Sequence, residues 1–205
     1  EGSARRLQAG ETNLYAGYTG VELSGKTLGL VGFGRIARRV ADAGRGLGMN
    51  VVAYDPYCPP AEFGATAPAA SLERLLRAAD VVSLHVPLTD ETARLFGAAA
   101  FGAMKEGSVF VNTARGGLVD HGALLAALES GRLFGAGLDV TDPEPLPADH
   151  PLLNRDDVIV TPHIASGTAD GKRRLFETAF EQVLMALDGE RPTYVVNPEA
   201  WDRQE

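Results

Sequence analysis

The chain has 205 residues, and its 19 Lys and Arg against 27 Asp and Glu give a formal net charge of −8 at pH 7. That acidic balance argues against a general nucleic-acid partner, and a content of 45% hydrophobic and 22% charged residues excludes a disordered chain. Cys58 is the only cysteine, which excludes a disulfide framework and a cysteine-rich metal site and favours a reducing, cytoplasmic compartment.

Short apolar runs alternate along the chain with segments of helical periodicity. The runs predict strands at Thr27–Val31, Val51–Tyr54, Val81–Leu84, Val109–Val111, Gly137–Val140 and Val158–Val160. Helices are predicted before Gly48, after a cap at Ser71, between Asp120 and Gly131, and over about residues 169–187. The last helix carries Phe176, Phe180, Val183 and Leu187 along one face.

This alternation predicts one α/β domain in which helices cover both faces of a parallel sheet. The expected fold class is therefore the doubly wound, Rossmann-type sheet, over residues 26–189. A polar, weakly periodic arm precedes it at residues 1–25, and a short segment follows at residues 190–205.

The turn after the first strand matches the G-x-G-x-x-G/A motif of dinucleotide-binding proteins. It reads Gly32-Phe33-Gly34-Arg35-Ile36-Ala37. The first glycine makes the tight turn, the second lets the backbone approach a pyrophosphate, and the small third residue lets helix pack on strand. The helix that follows directs its N-terminal N–H groups and its positive dipole end toward the phosphates. A simple tight turn is the alternative interpretation, but the preceding strand and the following helix favour the nucleotide site.

Asp55 ends the second strand, where an acidic residue is expected to bind a ribose 2′-hydroxyl. A 2′-phosphate would be repelled there, and the neighbouring Pro56 and Tyr57 offer no cation, so NAD is favoured over NADP. The alternative is a solvated turn residue before a proline.

Other polar residues follow predicted strands on their carboxyl side. They are His85, the segment Asn112 to Arg115, Asp139 at the end of its strand, and His163. Each has an ordinary explanation as a loop residue, but together they line one edge of one sheet, which is where ligands bind in open parallel sheets.

At these residues the sequence resembles the D-isomer-specific 2-hydroxyacid dehydrogenase family. The likeness rests on five segments in the family's order: Gly32–Ala37, His85–Thr89, Asn112–Gly117, Leu138–Val140 with Glu144-Pro145, and Thr161–Ile164. Ala37 in place of the third glycine is tolerated by the motif, whereas Thr141 stands where the family usually has an aromatic residue.

The resemblance implies a catalytic trio of Arg115, Glu144 and His163. Arg115 would hold the substrate carboxylate with its planar fork of donors. His163 would protonate the carbonyl oxygen, and Glu144 would orient the ring and favour the imidazolium. The implied NAD-binding set, including the glycine motif, is Gly32, Gly34, Arg35, Ile36, Asp55, His85, Val86, Pro87, Thr113, Ala114, Arg115, Asp139, His163, Ala165 and Ser166. Asp139 would bind the nicotinamide carboxamide; no metal is implied.

The implied activity is hydride transfer between NAD(H) and a small 2-keto or 2-hydroxy acid, such as glyoxylate, hydroxypyruvate, pyruvate or 3-phosphoglycerate. Family members have a substrate-binding domain mainly before the glycine motif. That domain is expected to be largely absent here, with residues 190–205 as its remnant, so this chain should bind NAD(H) but turn over poorly.

The arm is expected to support a homodimer. A non-enzymatic NAD(H) sensor, similar to the corepressors that share this fold, is the alternative. No membrane partner is expected, because no apolar run reaches the roughly 18–20 residues of a membrane span.

Overall fold

The computed structural model describes residues 7–12 and 20–201. Much of the predicted N-terminal arm falls on residues 1–6 and 13–19, which lie outside the described residues. By its internal contacts the chain divides into two compact units, Glu1–His163 and Ile164–Glu205. By this division the helix at Ala169–Leu187 lies in the second unit.

The first unit is built on a parallel sheet of seven strands in the order β3-β2-β1-β4-β5-β6-β7. The strands are β1 Thr27–Val31, β2 Asn50–Tyr54, β3 Ala67–Pro68, β4 Val81–Leu84, β5 Ser108–Asn112, β6 Leu133–Leu138 and β7 Val158–Val160. The helices are α1 Arg35–Gly46, α2 Leu72–Ala78, α3 Ala98–Ala103 and α4 His121–Glu129. Among the described residues of this unit, short 3₁₀ helices lie at Pro60–Phe63, Gly116–Leu118 and Pro151–Asn154. The predicted doubly wound, Rossmann-type sheet is confirmed.

Alternate residues of the central strands enter two different apolar clusters, one on each face of the sheet. Leu28 and Leu30 of β1 pack with Ala37 and Ala41 of α1. Val31 packs with Val82 and Leu84 of β4 in a larger cluster with α2, α3 and α4. The two-sided burial explains why these strands are continuous apolar runs.

The local signals at helix ends were predicted correctly. The Ser71 hydroxyl accepts a hydrogen bond from the Arg74 N–H at the start of α2, and the Asp120 carboxylate accepts one from the Ala123 N–H at the start of α4. Each cap satisfies a backbone donor that has no partner within the helix.

Three elements differ from the prediction. Strand β6 starts at Leu133 and ends at Leu138, so the predicted span Gly137–Val140 is wrong and Asp139 lies just after the strand. Strand β3, with two residues, and α3, with the sequence AAAFGA, were not predicted. Both are too short or too uniform in composition to carry a periodic signal.

The second unit contains α5 Ala169–Leu187 and α6 Pro198–Trp201. Helix α5 begins at Thr168, whose hydroxyl accepts a hydrogen bond from the Gly171 N–H at 2.9 Å. The large apolar residues of α5 are each more than half exposed: Leu175, Phe176, Phe180, Val183, Leu184 and Leu187.

Candidate functional site

The glycine turn after β1 has the geometry that the motif requires. Gly32 has φ of 88° and donates its N–H to the Tyr54 carbonyl at 2.8 Å. A Cβ added to Gly32 would lie 2.8 Å from the His85 carbonyl oxygen, so a side chain is excluded there both by conformation and by space. A Cβ added at Gly34 would meet nothing within 4 Å, which leaves open space where α1 begins at Arg35.

Asp55 is held against this turn. Its Oδ2 accepts a hydrogen bond from the Phe33 N–H at 2.8 Å, and its Oδ1 accepts one from the Tyr57 N–H at 2.9 Å. The Arg38 guanidinium contacts the same turn through the Phe33 carbonyl, but it is also paired with Glu62 at 2.6 Å. The Arg38 cation is therefore partly neutralised by Glu62, which disfavours its use as a partner for a 2′-phosphate beside Asp55.

His85 lies at the end of β4, and its ring is partly buried. Its Nε2 is 3.0 Å from the Ser83 hydroxyl, and burial lowers the pKa of His85 to about 4. The ring is therefore neutral near pH 7 and contributes no cation to the site. A cleft of about 530 Å³ opens beside it, lined by Gly34, Arg35, Ile36, Ala37, Arg39 and His85.

The turn after β5 is held by a fully buried amide. The Asn112 side chain accepts a hydrogen bond from the Ala114 N–H at 3.0 Å and donates one to the Arg115 carbonyl at 2.8 Å. A Cβ added to the next residue, Gly116, would lie 2.0 Å from the Thr141 carbonyl oxygen. The turn that carries Arg115 is therefore packed directly on the loop that leads to Glu144.

A second cleft, of about 570 Å³, lies at the carboxyl ends of β6 and β7. It is lined by Asp139, Thr141, Glu144, Pro145, Leu146, Leu153, Val160, Thr161, Pro162 and His163. Within it the His163 Nδ1 and the Glu144 Oε1 are 2.7 Å apart, and the two side chains are 50% and 40% exposed. Asp139 is buried at 6% exposure and accepts a hydrogen bond from the Thr161 hydroxyl at 2.6 Å. A carboxylate fixed against one ring nitrogen leaves the other for proton transfer.

Predicted site residues are thus gathered in two clefts of the first unit. Gly34 to Ala37 of the glycine motif line one with His85, and Asp139, Glu144 and His163 line the other. Val86 lies beside the glycine turn, 2.9 Å from the Cβ position of Gly32, and Pro87 accepts a hydrogen bond from Thr92.

Arg115 is not among the residues that line the second cleft. Its exposed guanidinium instead donates to its neighbour, the Ala114 carbonyl, at 2.6 Å. Thr113, in the same turn, is also exposed. Ala165 and Ser166 belong to the second unit.

Two residues with a clear structural part in the site had no assigned role in the sequence analysis. Asn112 holds the Arg115 turn, and Thr161 bonds the Asp139 carboxylate. The available signal was their position, Asn112 as the last residue of β5 and Thr161 directly after β7, but their partners are set by the fold.

Across residues 7–12 and 20–201, no three His, Cys, Asp or Glu side chains form a group that could hold a metal ion. In the same part of the chain, no helix has both the length and the apolar character needed to cross a bilayer.

Residues 1–165 match the model of a family described as "D-isomer specific 2-hydroxyacid dehydrogenase, NAD binding domain". The chain is 43% identical over 183 residues to the glyoxylate reductase of Aeropyrum pernix and 41% identical over 182 residues to the D-3-phosphoglycerate dehydrogenase of Methanocaldococcus jannaschii. Its fold superposes with a TM-score of 0.84 on a crystal structure of D-lactate dehydrogenase with NAD⁺ from Lactobacillus jensenii, at 33% identity.

These relatives are longer than the matched region. The alignments cover 88% of this chain but 54% of the glyoxylate reductase and 34% of the phosphoglycerate dehydrogenase. The lactate dehydrogenase match covers 94% of this chain and 62% of that one. All three are enzymes by name, and the non-enzymatic alternative finds no support among them.

Proposed function

Because the chain belongs to the NAD-binding domain family of the D-isomer-specific 2-hydroxyacid dehydrogenases, we propose that its protein transfers hydride between NAD(H) and a small D-2-hydroxy or 2-keto acid. In this proposal the chain holds the dinucleotide and supplies the acid/base pair. The observation that carries the proposal is the 2.7 Å contact of Glu144 with His163, beside the buried Asp139, at the carboxyl edge of the sheet.

The first cleft fits the phosphates and the adenosine ribose of a dinucleotide. The turn at Gly32 excludes a side chain, Gly34 leaves open space before α1, and Arg35 and Arg39 line the cleft. Helix α1 has 12 residues, so its N-terminus provides a full set of backbone donors and a positive dipole end. Asp55 would accept the ribose 2′-hydroxyl.

The nicotinamide supplies the hydride when the cofactor is bound. The protein's part is to hold and move one proton. Since Glu144 bonds Nδ1 of His163, the nitrogen that gives the proton to the carbonyl oxygen is Nε2, and the same atom takes it back in the oxidation of a hydroxy acid. Glu144 keeps the ring oriented through its bond to Nδ1.

Arg115 would bind the substrate carboxylate. Its guanidinium has five N–H donors, of which the structure uses one on the Ala114 carbonyl, so a bidentate hold on a carboxylate needs a rotation of an exposed side chain. Asp139 would accept from the nicotinamide carboxamide. Thr113 and Ala114, in the Arg115 turn, and Ala165 and Ser166, in the second unit, remain proposed cofactor contacts.

The proposal extends to assembly and compartment. We expect a homodimer, on the family resemblance of the arm, and a cytoplasmic location, which the free thiol of Cys58 favours. Light scattering of the purified protein tests the dimer, and a monomer at working concentration contradicts it.

The test is NADH oxidation by a panel of 2-keto acids, including glyoxylate, hydroxypyruvate and pyruvate, in the protein that carries this chain. His163→Asn should lower kcat by about 10² to 10⁴ while NADH affinity changes little. His150→Asn is the matched control, since His150 lies outside the residues that line the second cleft and should leave kcat unchanged. A wild-type protein that binds NADH but oxidises it with no acid, or an unchanged kcat in His163→Asn, would contradict the proposal.

A further inference from the structure

The hydroxyl of Thr161 makes a short hydrogen bond inside the second cleft. Thr161 directly follows β7, and its N–H donates to the Leu138 carbonyl at 2.8 Å, which extends the pairing with β6. Its Oγ1 then donates to Oδ1 of Asp139 at 2.6 Å. Asp139 is 6% exposed, so this donor acts on a carboxylate that is largely removed from water. Hydrogen bonds to a charged acceptor are stronger than neutral ones, and more so at low dielectric.

A second link joins the same two segments through the main chain. The His163 N–H donates to the Asp139 carbonyl at 2.8 Å and to the Thr161 carbonyl at 3.0 Å. These bonds hold His163 at φ of 53°, which is unfavourable for a residue other than glycine. Asp139 and His163 are therefore fixed to one another through the Thr161–His163 segment.

We infer that Thr161 is a positioning residue that aims the Asp139 carboxylate at the nicotinamide carboxamide. This inference rests on the proposed function, which gives Asp139 that partner. By fixing Oδ1, the hydroxyl selects the rotamer in which the carboxylate faces the cleft that Glu144 and His163 also line. The Asp139 carboxylate, which would hold the nicotinamide, is thereby kept in a set position relative to His163.

A residue that only stabilises the fold would behave differently from a positioning residue. Loss of a merely structural hydroxyl would weaken every ligand of the chain to a similar degree, or none. Loss of a hydroxyl that aims Asp139 weakens only ligands that carry the nicotinamide. NADH and ADP-ribose differ by that group and share the rest of the molecule, so the pair separates the two roles.

The experiment measures Kd for NADH and for ADP-ribose by calorimetry on the 205-residue chain. Thr161→Val should raise the Kd for NADH about tenfold and change the Kd for ADP-ribose less than about twofold. Thr161→Ser should return the Kd for NADH to within about threefold of the wild-type value. Thr66→Val is the matched control, because the buried Thr66 hydroxyl also bonds a charged group, Arg45, at 2.9 Å, and it should move neither constant.

The experiment distinguishes a failure of this inference from a failure of the proposed function. The inference would be overturned if Thr161→Val weakened the binding of both ligands equally or of neither, or if Thr161→Ser did not restore NADH affinity. These results would leave the proposed function standing. Equal wild-type affinity for NADH and ADP-ribose would also overturn it, since the nicotinamide would then contribute nothing for Thr161 to set. A wild-type chain that binds neither ligand would overturn the proposed function and this inference with it.

Discussion

Gly116 is the position where a single methyl group should do most damage to the site. A Cβ there would lie 2.0 Å from the Thr141 carbonyl oxygen and 2.1 Å from its carbon, whereas ordinary contacts begin at 3.4 Å. The obstacle is backbone and cannot rotate aside. The two loops must separate by roughly 1.4 Å, the difference between those contact distances. Overpacking of a core costs about 1–3 kcal/mol, and a rigid obstacle places Gly116→Ala near the upper end, at about 3 kcal/mol.

The assay is urea unfolding of Gly116→Ala against Gly102→Ala. Gly102 lies on the exposed side of α3, where an added Cβ meets nothing within 4 Å, so alanine there should stabilise by a few tenths to about 1 kcal/mol. Because Gly116 adjoins Arg115, its variant should also lose turnover where the wild-type protein is active. A Gly116→Ala unfolding free energy within about 1 kcal/mol of wild type would refute the close packing of the two loops.

Two further predictions concern pH. Burial lowers the pKa of His85 from 6.5 to about 4, so between these values the unfolded chain takes up a proton that the folded chain does not. Wild type should lose roughly 3 kcal/mol of unfolding free energy from pH 7 to pH 4 through this group, and His85→Asn should not lose it. Burial alone would raise the pKa of Asp80, but hydrogen bonds from the Thr27 N–H and the Lys105 ammonium hold it below its ordinary value of 3.8. Lys105→Met should therefore lower the free energy of unfolding by up to about 1 kcal/mol at pH 7. It should have no effect on that free energy once the pH has fallen below the lowered pKa of Asp80.

Urea unfolding of the wild type and of each variant, measured across this pH range, checks both predictions. An identical pH slope in wild type and His85→Asn would contradict the buried neutral ring. A Lys105→Met deficit that stays constant into acid would contradict the ion pair with Asp80.

Local chemistry explains why much of the fold was predictable. The glycine motif needs only the turn conformation of Gly32 and the open space at Gly34, and both are properties of six adjacent residues. The caps at Ser71 and Asp120 bond donors three residues away. Because such signals depend on short-range contacts, they can be recognised in the sequence before the fold is known.

Elements defined by long-range packing were less predictable. Strand β6 begins with Leu133-Phe134-Gly135, where the glycine weakens the strand signal. In the structure a Cβ at Gly135 would lie 2.7 Å from the Asp157 carbonyl oxygen, so the residue is dictated by the neighbouring segment before β7. That requirement is invisible in the sequence until the sheet order is known.

The site shows the same division. Asp139 and His163, which the strand ends predicted, line one cleft together with Glu144, which only the family resemblance implied. The bond from Thr161 to Asp139 spans 22 positions, and the buried amide of Asn112 works inside its own turn, so neither role follows from residue type alone. The Arg115 guanidinium bonds its own neighbour, the Ala114 carbonyl, and that contact is not signalled by residue type either.

We expect this chain to bind NAD(H) through the glycine turn, with Asp55 selecting against a 2′-phosphate. The decisive measurement is calorimetric titration of the 205-residue chain with NADH and with NADPH. NADH should bind saturably with one-to-one stoichiometry, NADPH should bind at least about tenfold more weakly, and Asp55→Ala should narrow that difference in affinity. Absence of NADH binding at millimolar concentration, or tighter binding of NADPH than of NADH, would contradict it.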